Sequence, residues 1–526
     1  MEKVKLDESA RRSYSNRQSQ QFTMRFFTYT LCHVLGFAAL AGAASSTNSS
    51  SVRWVKCPAE TPPGVDCGEI KVPLNYKNGS TIEPADNRTV TLGLVRLNST
   101  GNSTRGPLFV NPGGPGAPAS LFVAGGAFLP EVGFSKDVMR TYDIIGLDPR
   151  GVGSSQPVKC DPKIFNRRVP TFVNSTKTYE ALKNQSRDLG GSCAKLTGDL
   201  INYLDTIHVA KDHEVLRRAI GAKQFDFFGL SYGSLLGSTY LNLFPKSVGR
   251  MALDGIVDHS QSEIGSLLTE AVTYETTLNK FFEWCNNNSS CPLHNNNPKE
   301  VFDSLVYNAT QKPIPAPGCN DTCQPNVTAE DILYNTQTLL EFVNSTLGPG
   351  WYGLAGYIAQ AAEGNATGLS TALATSEISS AYSGSPFTYL AIGCQDWKRS
   401  ANTEQDLQQR LESVMPFAPQ TKGATQTYYY QSLCLGWPAK VTYPQQSFNL
   451  TMTEKAPAIL LSNSMYDPAT SIAWANGVRE QLPNAVSIIR NGTGHTSHMI
   501  LGRTRDAIDN YLATGKLPKD GTIYQT

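Results

Sequence analysis

The stretch FDFFGLSYGSLLGSTY, residues 225–240, constrains the fold more than any other part of the chain. An aromatic run with strand character breaks at Gly-Leu-Ser-Tyr-Gly and resumes at once as a small-residue helix. A serine between two glycines at such a turn is the pattern of a nucleophile elbow. The strained backbone lifts the hydroxyl above the edge of a sheet, and the glycines leave room for neighbouring main chain. Five-residue patterns recur by chance, so the pattern has meaning only if the surrounding chain supplies the sheet.

It does. VTLGLVRL (90–97), GPLFVNPGGPG (106–116), YDIIGLDPRGVG (142–153), GRMALDGIVD (249–258), APAILLSNSMYDPAT (456–470) and NAVSIIRNGTGH (484–495) are apolar runs that end in loops. KDHEVLRRAIG (211–221) has helical spacing and a glycine stop. Buried strands alternating with helices predict an α/β fold, a mostly parallel sheet with helices on both faces. The rhythm stops between about 259 and 450, where the chain is Asn-rich, punctuated by proline and helical in pattern. That segment is read as an insertion placed to roof the strand ends.

The 526 residues give room for a large core plus such an insertion. With 45 basic and 44 acidic side chains, nothing points to nucleic acid or an anionic surface as partner. The first 25 residues are polar and basic, and FFTYTLCHVLGFAALAGAASS follows. Residues 1–45 are therefore read as a secretory signal, or as a signal anchor because the apolar run approaches the ~20 residues that span a bilayer. A membrane is expected as partner only if that segment stays uncleaved. A Ser/Thr-rich linker is expected at 46–60, then core at 61–258, helical lid at 259–450 and core again at 451–526.

Of 11 cysteines, Cys32 lies in the leader. The other ten can pair locally as Cys57 with Cys67, Cys160 with Cys193, Cys285 with Cys291, Cys319 with Cys323 and Cys394 with Cys434, although sequence alone leaves connectivity open. An even number after a leader suits an oxidising compartment. Sequons at Asn87, Asn98, Asn174, Asn288, Asn344 and Asn449 predict surface glycans on an exported chain. The expectation is a secreted protein, or one anchored and facing the exterior. The histidines have no ligand spacing, so no metal or other cofactor is expected.

Ser231 needs a base and a group to orient it. Among seven histidines, His495 ends the last strand in NGTGH, with His498 as fallback. Asp467 follows the preceding strand, giving the order Ser, Asp, His; Asp254 and Asp258 are weaker competitors. The oxyanion donors expected are the Tyr232 N–H and the NPGGPG loop, Gly113 and Gly114.

Seven segments in order, VNPGGPG, DIIGLDPRGVGSSQP, FFGLSYGS, FPKSVGRMALDGIVD, AIGCQDW, DPATS and GTGH, resemble the secreted tripeptidyl-aminopeptidase-like branch of the α/β-hydrolases, related to prolyl iminopeptidases. The resemblance runs from about residue 53 to 515 and implies an α/β-hydrolase fold with a helical lid. It implies a serine exopeptidase with Ser231, Asp467 and His495 as triad, and a C-terminal domain marked by AIGCQDW and CLGWP. The family usually continues with glycine after GGPG, where this chain has Ala117, Pro118 and Ala119. Two activities remain open: an aminopeptidase releasing short peptides, and an esterase or small-metabolite hydrolase sharing the triad. The first needs a carboxylate for the substrate ammonium, with Asp396 as candidate.

Overall fold

The computed structural model describes residues 51–525 except 60, 103, 127–132, 345–347 and 376–384. The expected leader at 1–45 lies outside the described residues.

Ten strands form one sheet: β1 (Arg53–Val55), β2 (Val65–Pro73), β3 (Thr89–Leu97), β4 (Gly106–Asn111), β5 (Tyr142–Leu147), β6 (Phe225–Leu230), β7 (Val248–Asp254), β10 (Leu460–Tyr466), β11 (Val486–Thr493) and β12 (Thr522–Gln525). Two short strands, β8 (Ile314–Pro315) and β9 (Asn326–Val327), pair separately. The sheet order is β1-β2-β3-β5-β4-β6-β7-β10-β11-β12. β1, β2 and β3 run antiparallel, and β5 through β12 run parallel. This is the α/β-hydrolase fold. The segment read as a linker is partly structured: Arg53–Val55 pairs with Cys67–Glu69, and the Cys57–Cys67 disulfide ties it down.

β6 shows why these residues form this sheet. All six are buried. The two-residue period sends Phe225 and Phe227 to one face and Phe228 and Leu230 to the other, into separate cores. Each such phenylalanine contributes on the order of 2 kcal/mol by leaving water. Helices Thr206–Ala219 and Tyr232–Leu243 cover the first face, and Arg503–Thr514 covers the second.

The strand order places the site. β4 connects to β5 on one side, and β6 connects to β7 on the other. Loops leaving the carboxyl ends of β4 and β6 therefore diverge and leave a crevice, the topological switch point where such sheets bind ligands.

Between β7 and β10 the chain is mostly helical and holds its own core around Tyr274, Phe281, Phe302, Leu333 and Trp351. It meets the loops at the strands' carboxyl ends. Gln337 Nε2 donates to Pro468 O at 3.0 Å, and Thr277 Oγ1 donates to Tyr466 O at 3.1 Å. Thr388 Oγ1 donates to Gly151 O at 2.9 Å. The five disulfides join the ten cysteines as the local pairing had them. Among the described residues no helix is long and apolar enough to cross a membrane.

Candidate active site

Ser231 sits where β6 becomes the helix Tyr232–Leu243, at φ 55° and ψ −123°. A non-glycine residue there costs on the order of 1–3 kcal/mol. Its hydroxyl does not cap the helix it precedes, which is unusual for a serine in that position. Among the described residues it makes no hydrogen bond, and serine–base bonds of this kind often tighten only around substrate.

The neighbouring glycines are there for space. A Cβ on Gly229 would lie 2.3 Å from Gly233 O, and one on Gly233 would lie 2.5 Å from Asn111 O. The chain after β4 thus packs directly on the elbow. Gly113, at φ 101°, comes so close that a Cβ would lie 2.8 Å from Ser231 Cβ and 3.2 Å from Tyr232 N. Gly113 therefore faces the elbow as expected, while a Cβ on Gly114 would meet the loop's own Gly116 and Ala117 backbone. One detail differs: the Gly113 N–H donates to Asn111 Oδ1 at 3.0 Å, so of the expected donors this amide is already engaged.

β10 and β11 deliver the other two residues. His495 Nδ1 lies 2.9 Å from both carboxylate oxygens of Asp467. Asp467 is fully buried and also accepts from Ala469 N, Thr470 N, Thr470 Oγ1 and Thr496 N at 2.8–2.9 Å. Burial pushes its pKa up, but the charge and hydrogen bond of His495 and the backbone donors outweigh burial and hold it below the usual carboxylate range. For His495, burial pulls the pKa down. Asp467 first, then Glu341 and Asp254, override it and push the value up to about 9. With Nδ1 on Asp467, the ring sets Cε1 3.4 Å from where a Cβ on Gly255 would stand. Gly255 follows Asp254, whose carbonyl accepts the Ser231 N–H at 2.8 Å. Ser231 and the Asp467–His495 pair thus both adjoin the Asp254–Gly255 segment at the carboxyl ends of the strands.

The alternatives fall away. His498 is buried between Phe134 and Phe228 with its Nε2 on Asp509. Asp258 accepts from the Ser260 backbone and hydroxyl. Asp396 requires a correction. It is 1% exposed, its oxygens accept from Thr206 N and pair with Thr206 Oγ1, and burial pushes its pKa far up. A buried carboxyl already engaged by Thr206 does not meet a substrate ammonium.

Sequence reading missed Glu341, at the end of the helix Ala329–Leu340. Its carbonyl accepts the His495 N–H at 3.0 Å, and its half-buried carboxylate takes, among the described residues, one bond, from Gln426 Nε2 at 3.3 Å. Burial, with smaller effects from Asp467 and Glu270, raises its pKa to about 7 against the opposing pull of His495. No motif marks it; the one sequence signal is an acid closing an apolar helix. Tyr334, Tyr389 and Tyr429 stand near one another on the lid side, and Tyr389 N is 3.4 Å from where a Cβ on Gly116 would be. Among the described residues no group of three or more His, Cys, Asp or Glu is arranged to hold a metal ion.

An elbow serine on a parallel sheet beside an aspartate-held histidine defines a serine hydrolase of the α/β-hydrolase fold. Comparison with known proteins agrees. Residues 106–312 match the family model described as alpha/beta hydrolase fold, and residues 419–523 match the one described as TAP-like protein. The tripeptidyl aminopeptidase of Streptomyces lividans is 27% identical over 505 residues, covering 91% of this chain and 87% of its own length. The serine protease Hip1 of Mycobacterium tuberculosis is 27% identical over 496 residues, covering 89% and 90%. Carboxylesterase B of the same species is 28% identical over 468 residues, covering 86% and 85%. The chain has the α/β-hydrolase fold, and its resemblance to the tripeptidyl-aminopeptidase-like branch extends over most of its length.

Proposed function

We propose that the protein is an exported serine aminopeptidase that releases short peptides from substrate N-termini through an acyl-enzyme. The observation that carries this reading is His495 held on Asp467 beside a strained, uncommitted Ser231. In this mechanism His495 takes the Ser231 proton as Oγ attacks the scissile carbonyl. The Tyr232 and Gly114 amides receive the oxyanion, His495 returns the proton to the leaving amine, and water then repeats the cycle on the acyl-enzyme.

The exopeptidase part rests on Glu341. An ammonium brought beside the triad needs a carboxylate, and among the described residues Glu341 has one weak partner where both Asp396 oxygens are engaged by Thr206. Five disulfides and sequons that are exposed at Asn87, Asn98, Asn174, Asn344 and Asn449 and half-buried at Asn288 support export and glycosylation. The second reading, an esterase, draws on the carboxylesterase relative. Turnover of matched free and N-acetylated chromogenic peptides, beside simple esters, separates the two. The proposal expects a sharp loss on acetylation, and a rise in KM for free peptides in Glu341→Gln. Equal rates on both peptides overturn the aminopeptidase reading, and turnover confined to esters favours the second.

A further inference from the structure

The loop carrying His495 adopts a backbone its sequence resists. Thr496, a β-branched residue, stands at φ 61°. Such a conformation costs on the order of 1–3 kcal/mol and persists only where the surroundings over-determine it. Two buried charged side chains from flanking strands do so.

Arg490, on β11 and 2% exposed, donates through Nη2 to the carbonyls of Thr493 at 2.7 Å, Gly494 at 3.2 Å and Thr496 at 3.2 Å, and to Ser464 Oγ at 2.9 Å. Asp254, at the end of β7 and fully buried, accepts the N–H groups of Ser497 and His498 on one oxygen, each at 2.7 Å. The loop's carbonyls thus rest on a cation and its amides on an anion. Asp254 also reaches the other side of the site, because its carbonyl holds the Ser231 N–H.

Neither side chain is arranged for its own satisfaction. Asp254 Oδ1 and Arg490 Nε have no hydrogen-bond partner among the described residues. Burying two charges that meet only through intervening peptides costs several kcal/mol. Apolar packing would support an ordinary loop more cheaply. The arrangement makes sense where the loop's exact position matters, and misplacing a reacting group by about 1 Å can cost ~100-fold in rate.

We propose that Asp254 and Arg490 are positioning residues, a split-charge clamp that sets the His495 ring relative to Ser231. This rests on the reading of His495 as the base.

The test measures kcat, KM and thermal unfolding for Asp254→Ala, Asp254→Asn, Arg490→Met, Arg490→Lys and the double variant Asp254→Ala/Arg490→Met, with His495→Ala as control. The truncations should lose roughly 10- to 100-fold in kcat with KM within about 3-fold, the signature of a lost transition-state arrangement. Asp254→Asn should recover most of the rate, because its one carbonyl oxygen can still accept both amides. The double variant should lose less than the product of the single losses, since both break one loop. Folded truncations with wild-type kcat overturn the clamp, as does Asp254→Asn being as impaired as Asp254→Ala. If the truncations do not fold, Arg490→Lys decides, because its ammonium reaches fewer carbonyls. A lowered kcat at unchanged KM supports the clamp and a wild-type kcat refutes it. An active His495→Ala refutes the base assignment itself, a separate failure.

Discussion

Asp467→Asn keeps the shape of the orienting carboxylate and removes its charge and one acceptor. The native oxygens divide their donors: Oδ1 takes Ala469 N and Thr470 N, and Oδ2 takes Thr496 N and Thr470 Oγ1. With the new NH2 in the Oδ1 position, two backbone N–H groups face a donor. In the Oδ2 position only Thr496 N–H does, because the Thr470 hydroxyl can turn and accept. The second orientation is therefore adopted, and it leaves one buried amide unpaired at a cost of about 1–3 kcal/mol. The same NH2 now stands as close to His495 Nδ1 as the remaining oxygen does, and because that oxygen already takes two backbone N–H groups, the ring turns acceptor toward the NH2. The ring proton moves to Nε2, the atom that should receive the serine proton. A wrong tautomer in a serine triad lowers kcat about 10⁴-fold, about 5 kcal/mol of barrier. The assay is kcat at saturating chromogenic substrate beside the melting temperature. The variant should melt a few degrees lower and be nearly inactive. A folded Asp467→Asn retaining more than about a tenth of wild-type kcat refutes the orienting role.

Activity should rise with pH. Asp467, Glu341 and Asp254 face His495 and raise its pKa to about 9, so the ring is protonated through neutrality and becomes a base only above it. The acid limb of kcat/KM should have its midpoint near 9, and Glu341→Gln, which removes one of these charges, should move it lower; a wild-type midpoint below about 7 contradicts the assigned environment. Gly113→Ala should cost about 1–3 kcal/mol in stability and most of the activity, since its methyl would stand 2.6 Å from Leu230 O and 2.8 Å from Ser231 Cβ; unchanged kcat would separate this loop from the chemistry. Non-reduced peptide mapping and glycosidase treatment of the exported protein should find five disulfides and a drop in apparent mass; free thiols and no mass change would place the protein in a reducing compartment.

Much of the site could be read along the chain because its parts lie at strand ends. Ser231 and Asp467 follow buried strands and His495 follows a half-buried one, and in a parallel sheet such ends share one edge. The cysteine pairs were legible because each is local, with sequence separations from 4 to 40 residues. What escaped depends on tertiary partners. Asp396 looked available as a lone acid in a motif, and only packing shows Thr206 occupying it. Gly113 looked like a donor until Asn111, two residues earlier, took its amide. Glu341, Asp254 and Arg490 carry no motif, since their roles come from what burial leaves around them. β1 and β12 are three and four residues long and partly exposed, too short and mixed to show a strand period.

The central claim is that Ser231 is the nucleophile, activated by His495. Its most direct test is mapping the covalent adduct of a fluorophosphonate on the folded protein by mass spectrometry. The account predicts a single adduct on Ser231 that abolishes turnover, forms more slowly below the pH at which His495 loses its proton, and is absent in His495→Ala. Full inhibition with the label on another residue, or undiminished turnover with Ser231 labelled or replaced by alanine, would contradict it.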